Sequence, residues 1–503
     1  MSDRVSIKRL RSGVPGLDEV LGGGIPELSL NLIVGGAGSG KTTLGHQIMF
    51  ANATPDKPAL FFTVIGEPPI KMLRYQQQFS FFDFSKVEKA VRFIHLGKEA
   101  QAQGGLEKVL QRISDEVDRA SPGIVVVDSF RAVVRRTLFA TNGELEMQDF
   151  MQRLALHLTS CEATAFMLGE YGDEEHDSSV VFTVADGILW LSQAVERNSV
   201  VRKLQVVKMR GQGQLPGLQT MRITEDGVRV YPRIEKPMEV SASESPLAHR
   251  LTSGVPVLDE MMGGGVPRGY SVLIAGPSGS GKTILSNEFI LDGIRHDEPG
   301  VVAVFEKRPN DYLHSTPRGE EFQRFIHEKK VEVVYLRPLD LSIDETLSAL
   351  REAVERIGAK RAVIDSLSGL ELALAPTFRE DFRESLYRMV GALTGMGVTV
   401  MSTVELPDSF TSLQFSPHGI AFLSDAIIMQ RYLEIGGQLK RAMAVVKVRG
   451  SEHSKDLRAY EIDPGGSLVV GEPLRTYEGL LTGAPTQAIL GDLRQMSPRS
   501  REP

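Results

Sequence analysis

The sequence predicts an α/β fold built twice in tandem, each copy being a mainly parallel sheet flanked by helices. Two observations lead to this fold class. Short apolar runs alternate with longer amphipathic segments, which is the pattern of parallel strands covered by helices. The chain of 503 residues also repeats itself at an interval that matches a whole domain and is far too long for a solenoid repeat.

The repeat is clearest at the start of each copy. The segment 12–19 aligns with 253–260 at an offset of 253 − 12 = 241, and the same offset aligns Lys41 with Lys282. Later landmarks drift by a few residues, as expected when insertions fall in loops. A tandem duplication explains these matches.

The duplication predicts the domain organisation. We expect a first domain at 1–235, a linker at 236–249, a second domain at 250–485 and a C-terminal tail at 486–503. The linker is polar, contains proline and serine, and has neither helical nor strand periodicity.

Strands and helices alternate through the first copy. Apolar runs predict strands at 30–34, 59–63, 92–96, 124–127, 165–168 and 187–191. Helical periodicity predicts helices at 42–53, 70–79, 106–120 and 145–159. Runs such as 124–127 and 362–364 are apolar at every position, which is typical of strands buried on both faces of a sheet.

The composition indicates a globular chain. Hydrophobic residues make up 42% and charged residues 24%, close to the average of soluble domains. The first residues lack an apolar signal core and no later segment approaches the ~18 apolar residues of a membrane span, so we expect a cytoplasmic protein without membrane contact. The single cysteine, Cys161, lies in an apolar neighbourhood and is predicted to be a small buried residue.

Each copy contains a glycine-rich motif, G-x-x-x-x-G-K-[ST], at 35–42 and at 276–283. In this motif backbone amides approach phosphate oxygens, the lysine reaches the β- and γ-phosphates, and the hydroxyl is a ligand of Mg²⁺. Both motifs follow an apolar strand and open a helix, so we predict two ATP sites. The candidate nucleotide-binding residues in and beside the loops are Gly35, Gly36, Ala37, Gly38, Ser39, Gly40, Lys41, Thr42, Thr43, Gly276, Pro277, Ser278, Gly279, Ser280, Gly281, Lys282, Thr283 and Ile284.

Two aspartates are predicted to complete Mg²⁺ binding beside the hydroxyls of Thr42 and Thr283. Asp128 and Asp365 each end an apolar run and precede a serine. P-loop proteins hold Mg²⁺ with an aspartate at the end of a neighbouring strand. An aspartate at this position can instead cap the following helix, but its duplication favours the metal role.

Hydrolysis further requires a group that orients the attacking water, and a carboxylate one strand over from the P-loop suits this task. Glu67 and Glu306 follow the second strand of their copies and are the catalytic candidates. Exposed loop glutamates are common, so the prediction depends on their matching positions in the two copies.

A basic pair also occurs in both copies. Lys208 and Arg210 precede a glycine at the end of a valine-rich run, and Lys447 and Arg449 do the same in the second copy. Each pair either belongs to a solvated β-turn or reaches across a subunit boundary to the γ-phosphate as an arginine finger. The spacing does not choose between these roles.

Four features occur in both copies: the Ser-Gly-Val-Pro-x-Leu-Asp opening, the P-loop, the Asp-Ser strand end and the Lys-x-Arg-Gly pair. In this combination the chain resembles the KaiC family of RecA-like ATPases over residues 5–485. The resemblance implies two tandem RecA-like P-loop domains, ATP and Mg²⁺ as cofactors, and a homo-hexameric double ring with nucleotide between protomers. It also implies that the Lys-x-Arg pair of one protomer reaches the neighbour's nucleotide, and that regulatory partner proteins, such as a KaiB-like protein, bind the ring.

The chain departs from the family pattern at two places. Better-known members carry two adjacent glutamates, whereas this chain has Gly66-Glu67 in the first copy and Glu306-Lys307 in the second. Clock members also phosphorylate a Ser-Thr pair that aligns here with Ala421 and Phe422, which have no hydroxyl. The clock phosphorylation cycle is therefore not expected.

These observations predict an ATPase that hydrolyses Mg·ATP at two sites per chain and acts as a regulatory or signalling protein. Three alternatives stay open: a Ser/Thr autokinase of the clock type, a DNA-dependent RecA-like recombinase or helicase, and a signalling scaffold with structural ATP sites. The net charge of −7 and the lack of a separate basic domain argue against nucleic acid as a partner.

Overall fold

The structure is a computed structural model. It describes residues 7–63, 69–102, 105–131, 143–172, 181–196, 199–233, 249–336, 341–374, 382–406, 422–475, 477–478 and 486–487. The chain divides into two compact units, Met1–Arg233 and Ile234–Pro503. In the described part of the chain, no helix combines the length and the apolar character needed to cross a membrane.

The first unit contains eleven strands among its described residues. They are β1 Arg9–Leu10, β2 Ile25–Pro26, β3 Leu30–Gly35, β4 Ala59–Thr63, β5 Val91–His95, β6 Ile124–Asp128, β7 Thr164–Glu170, β8 Gly187–Glu196, β9 Ser199–Met209, β10 Leu218–Thr224 and β11 Gly227–Tyr231. The helices are α1 Leu17–Val20, α2 Lys41–Asn52, α3 Pro69–Gln76, α4 Gly97–Gln101, α5 Gly105–Ala120, α6 Gly143–Ser160 and α7 Val181–Val184, with a 3-10 turn at Phe84–Lys86.

The second unit repeats this order. Its strands are β12 Arg250–Leu251, β13 Val266–Pro267, β14 Ser271–Gly276, β15 Gly300–Val304, β16 Val331–Tyr335, β17 Arg361–Asp365, β18 Thr399–Glu405, β19 Ala426–Ile435, β20 Gln438–Val448, β21 Arg458–Ile462, β22 Leu468–Pro473, β23 Tyr477–Glu478 and β24 Thr486–Gln487. Its described helices are α8 Pro256–Met261, α9 Lys282–Arg295, α10 Pro309–Ser315, α11 Gly319–His327, α12 Ile343–Ile357, α13 Leu367–Ala373 and α14 Phe382–Gly395.

Each unit is organised around one nine-stranded sheet. The order is β11-β10-β9-β8-β3-β7-β6-β4-β5 in the first unit and β22-β21-β20-β19-β14-β18-β17-β15-β16 in the second. The pairs from β8 through β3 to β5 are parallel, and β9 to β11 continue as an antiparallel meander. The predicted α/β class with two mainly parallel, helix-flanked sheets is therefore confirmed.

The central strands are mostly apolar because helices cover both faces of the sheet. Every residue of β3 and β4 is buried, and so is every residue of β14 and β15. Separate hydrophobic clusters lie on the two faces in each unit. Burial on both faces removes the period-two pattern and leaves mostly apolar runs, which is why the predicted strands 30–34 and 59–63 lie within one residue of β3 and β4 at each end.

Two expectations about local placement are wrong. In the first unit, β7 lies between β6, which carries Asp128, and the P-loop strand β3, so β6 and β3 are not neighbours. In the second unit, β17 and β18 lie between β15, which precedes Glu306, and the P-loop strand β14. In addition, Cys161 is half-buried rather than buried. It follows the last residue of α6, where the helix end meets polar side chains of α5.

Candidate nucleotide sites

Each glycine-rich loop joins a buried central strand to a helix, as a P-loop does. The loop at 35–42 leaves β3 and opens α2, which begins at Lys41. The helix is preceded by Gly40 with φ 103°, and a Cβ added there would lie 2.6 Å from Cδ1 of Ile223. In the second unit Gly281 has φ 102° at the same point. Glycine is required at both positions because other residues are strained in this left-handed conformation.

The two P-loop lysines make matching contacts. Lys41 Nζ donates to the carbonyl oxygens of Gly35 at 3.0 Å and Gly36 at 2.7 Å. Lys282 Nζ donates to those of Gly276 at 2.9 Å and Pro277 at 2.7 Å. Each ammonium group is therefore held within the curve of its own loop. Burial lowers the pKa of Lys41, although the charges of Glu170 and Asp128 oppose this shift.

The threonine and aspartate candidates meet in both units, although they are far apart in sequence. Thr42 Oγ1 donates to Asp128 Oδ2 at 2.7 Å, and Thr283 Oγ1 donates to Asp365 Oδ2 at 2.8 Å. In the second unit Thr403 Oγ1 donates to the other carboxylate oxygen of Asp365 at 2.6 Å. Burial raises the pKa of Asp128, opposed by the hydrogen bond from Thr42. The hydroxyl and carboxylate oxygens fit a hard cation such as Mg²⁺.

A cleft opens beside each loop. The cleft of the first unit has a volume of about 420 Å³ and that of the second about 380 Å³. The first is lined by Gly38, Gly40, Lys41, Thr42, Thr43, Thr63, Met72, Asp128, Ser129, Glu170 and Ile223. The second is lined by Ser278, Gly279, Gly281, Lys282, Thr283, Ile284, Val304, Glu306, Lys307, Tyr312, Asp365, Ser366, Glu405 and Ile462. The clefts thus bring together most of the predicted phosphate and metal residues.

Of the two catalytic candidates, the structure describes one. Glu306 is exposed in the second cleft, and its Oε1 accepts a hydrogen bond of 3.1 Å from Ser366 Oγ. Ser366 follows Asp365, so this hydrogen bond ties the glutamate to the end of β17 that carries Asp365. Lys307 lines the same cleft. Glu67 lies outside the described residues.

A second acidic pair, Glu170 and Glu405, was not predicted from the sequence. These residues end β7 and β18, the strands inserted next to the P-loop strands, and they pair with Gly35 and Gly276. Each lines its cleft. The two glutamates are offset by 405 − 170 = 235, and the same offset aligns Thr164 with Thr399, the first residues of β7 and β18. The sequence repeat could therefore have revealed this glutamate pair.

The Lys-x-Arg pairs lie at the opposite edge of the sheet from their own P-loops. The backbone N–H of Arg210 donates to Asp186, whose own N–H donates to Leu30 at the start of β3. The Arg210 guanidinium pairs with Asp186 at 3.1 Å, and Arg449 pairs with Asp425 in the same way at 2.9 Å.

The lysines of these pairs are half-buried. Lys208 Nζ donates to the backbone carbonyl of Phe182 at 3.2 Å. Burial lowers the pKa of both Lys208 and Lys447, and the neighbouring arginine adds to the shift. Neither pair of basic residues lines the cleft of its own unit.

The position of the missing phosphoacceptor pair is partly described. Phe422 is exposed, and the guanidinium of Arg383 lies 5.3 Å from its ring centroid. Ala421 lies outside the described residues. Ser424, the nearest described hydroxyl in this stretch, is buried.

Comparison with known proteins finds similarity to one family along both copies of the domain. A family model described as "ATPase: KaiC" matches residues 10–235 and again 251–475. A circadian clock oscillator protein KaiC of Picosynechococcus is 26% identical over 98% of this chain and 95% of its own length. The circadian clock protein KaiC3 of Synechocystis is 26% identical over 98% of this chain and 97% of its own length.

Proposed function

Because the chain belongs to the KaiC ATPase family, we propose that it binds and hydrolyses Mg·ATP at two P-loop sites and acts as a regulatory or signalling ATPase. One observation carries the proposal. In both units a lysine held by its loop, a threonine hydroxyl and an aspartate carboxylate line one cleft, with Thr–Asp distances of 2.7 and 2.8 Å. The retention of this arrangement in both copies of the duplicated domain favours a chemical role over a structural one.

In each site the loop amides and the lysine would bind the phosphates. Thr42 with Asp128, and Thr283 with Asp365, would hold Mg²⁺. The cation would neutralise negative charge that develops on the phosphate oxygens. The lowered pKa of Lys41 and the raised pKa of Asp128 result from burial in the cleft. A bound anion would favour the protonated lysine, and a bound cation would favour the ionised aspartate.

Glu306 is the proposed water-orienting residue of the second site. Its carboxylate is exposed to the cleft, and the hydrogen bond from Ser366 restricts its position. Glu67 is proposed for the corresponding role in the first site. Each site has one such glutamate where better-known family members have two, and Lys307 lies beside Glu306 in the cleft. We therefore expect slow hydrolysis at the second site.

The proposed assembly is a homo-hexameric double ring with nucleotide between protomers. The location of Lys208, Arg210, Lys447 and Arg449 supports it, because these residues lie at the far edge of the sheet from their own P-loops. They would serve the neighbouring protomer's nucleotide as phosphate contacts in trans. Regulatory proteins, a KaiB-like protein among them, are the proposed partners of the ring.

Hydrolysis ranks above autophosphorylation in this proposal. Transfer to the protein requires a hydroxyl acceptor near the second site, and the aligned positions are Ala421 and Phe422. An exposed phenylalanine cannot accept a phosphoryl group.

The test is an ATPase assay run alongside size measurement with and without Mg·ATP. We expect Mg²⁺-dependent ADP release and a nucleotide-stabilised assembly of six chains. Turnover that rises several-fold with single-stranded DNA, together with salt-sensitive DNA binding, would instead support a DNA-dependent ATPase. Unchanged turnover and assembly in the Glu67→Gln and Glu306→Gln variants would support a scaffold.

A further inference from the structure

Three side chains with different metal-binding chemistry converge beside two helices of the first unit. Asp118 lies near the end of α5, His157 lies near the end of α6, and Cys161 follows α6. His157 and Cys161 are four residues apart, and the N–H of Cys161 donates to the carbonyl of His157 at 3.1 Å. The helical hydrogen-bond pattern therefore continues to Cys161, and both side chains lie on the helix face next to Asp118.

The donor atoms form a compact triangle. His157 Nε2 lies 3.2 Å from Asp118 Oδ1 and 3.9 Å from Cys161 Sγ. Cys161 Sγ lies 3.5 Å from the same oxygen, Asp118 Oδ1. One nitrogen, one oxygen and one sulfur thus lie within 3.9 Å of one another, close enough to bind a single cation.

We propose that Asp118, His157 and Cys161 form a binding site for a borderline-soft divalent cation of the zinc class, with solvent as the fourth ligand. Zn²⁺ bonds of about 2.0–2.3 Å in tetrahedral geometry separate such ligands by roughly 3.3–3.6 Å. The three observed separations lie within a few tenths of an ångström of that range. A carboxylate, a thiolate and a neutral imidazole carry two negative charges together, which balances the cation.

The same three residue types also occur in nucleophilic Cys–His–Asp sites, but the geometry here differs. In those sites the histidine uses one ring nitrogen for the nucleophile and the other for the carboxylate. Here Nε2 of His157 makes both contacts. The arrangement therefore favours a shared cation over a proton relay.

The cluster is specific to the first unit. The gapless offset that matches Glu170 with Glu405 places Ala392 opposite His157 and Met396 opposite Cys161. Neither alanine nor methionine supplies the nitrogen or thiolate ligand, so the cluster is not part of the duplicated nucleotide site.

The cluster is also distant from the nucleotide cleft of its own unit. Cys161 precedes β7, which runs parallel to β3 and ends at Glu170 beside the P-loop. The cluster is thus at the edge of the sheet opposite the nucleotide. Its side chains are partly exposed, so a cation can enter from solvent. Cation binding here would be separable from Mg·ATP binding.

The test uses the full-length, reduced protein titrated with Co²⁺ in the presence of saturating Mg·ADP. Because Cys161 is the single cysteine of the chain, a sulfur-to-cobalt charge-transfer band can arise only from this residue. We expect that band together with visible absorption of tetrahedral cobalt, and displacement of both by Zn²⁺. Oxygen-ligated Co²⁺ in the nucleotide sites would produce no sulfur band.

Variants distinguish a cation site made of all three side chains from binding by the thiol alone. Cys161→Ser should abolish the charge-transfer band, whereas His157→Gln and Asp118→Asn should weaken cobalt affinity by at least about tenfold, the lower end of the losses seen when even outer-sphere partners are removed. Asp115→Asn, which removes a carboxylate one turn earlier on α5, should leave the affinity unchanged. Circular dichroism and ADP binding check that each variant is folded.

Two results would overturn the proposal. One is that the wild-type protein, with its thiol shown to be reduced by a thiol reagent, gives no sulfur-to-cobalt band with millimolar Co²⁺. The other is a band whose cobalt affinity is the same in wild type, His157→Gln and Asp118→Asn, because the cation would then not be held by the three side chains together.

Discussion

If the Lys-x-Arg pair acts across the protomer boundary, two inactive variants should restore activity when they are mixed. The backbone N–H of Arg449 donates to Asp425, whose own N–H donates to Ser271, the first residue of β14. The P-loop begins at Gly276, the last residue of the same strand. Five residue steps at about 3.3 Å separate these ends by roughly 16 Å. That distance exceeds the reach of an arginine side chain, so Arg449 cannot serve the phosphate of its own unit.

The perturbation combines Arg449→Ala and Glu306→Gln chains, both in a Glu67→Gln background that silences the first site. Each variant alone should lose most turnover, since an arginine finger contributes about 10³–10⁵ in rate. In a randomly mixed ring, an active interface needs an intact Glu306 on one chain and an intact Arg449 on the next. With equal amounts this occurs at ½ × ½, or about a quarter, of the interfaces of a cyclic assembly.

The assay is ADP release by mixed rings purified through two different affinity tags after coexpression. About a quarter of the turnover of the Glu67→Gln parent is expected. A Lys440→Ala variant, from β20, the strand that ends just before Arg449, but away from the pair, serves as the control for the arginine substitution. Mixed rings that are no more active than the separate variants would refute the reasoning.

Three further predictions follow from contacts described above. Thr283→Val, nearly isosteric, removes the hydroxyl that contacts Asp365 and should raise the Mg²⁺ concentration for half-maximal turnover by roughly tenfold, whereas an unchanged Mg²⁺ dependence would remove Thr283 from the metal site. Arg361 is fully buried against Glu298 and Asp292, so Arg361→Leu should lower the free energy of unfolding by about 3–5 kcal/mol in denaturant titration; a loss below 1 kcal/mol would contradict this. Intact mass after incubation with Mg·ATP should show no added phosphate, and phosphate that disappears in Glu306→Gln would instead establish autokinase activity.

Much of the fold could be predicted because burial on both faces makes β4 and β6 apolar at all but their last residue. The family prediction is likewise confirmed by the match over both copies. The order of strands in the sheet was not predictable, because β3 pairs with β7, more than a hundred residues later, through contacts that leave no local pattern.

The same limit applies to the candidate sites. The P-loops were recognised because their spacing is fixed by backbone contact with phosphate, whereas Glu170 and Glu405 reach the clefts only through the inserted strands. Cys161 was expected to be buried because its neighbours in sequence are apolar. Its polar contacts come from His157, one helical turn away, and from Asp118 on another helix.

The central claim is that each chain hydrolyses Mg·ATP at two separate P-loop sites. The most direct measurement is the number of nucleotides bound per chain, with the fraction converted to ADP, for wild type and for Lys41→Ala, Lys282→Ala and the double variant. We predict two nucleotides per chain in wild type, one in each single variant and none in the double variant, with Mg²⁺-dependent conversion to ADP. Full occupancy in the double variant, or ATP that stays intact in wild type, would contradict the account.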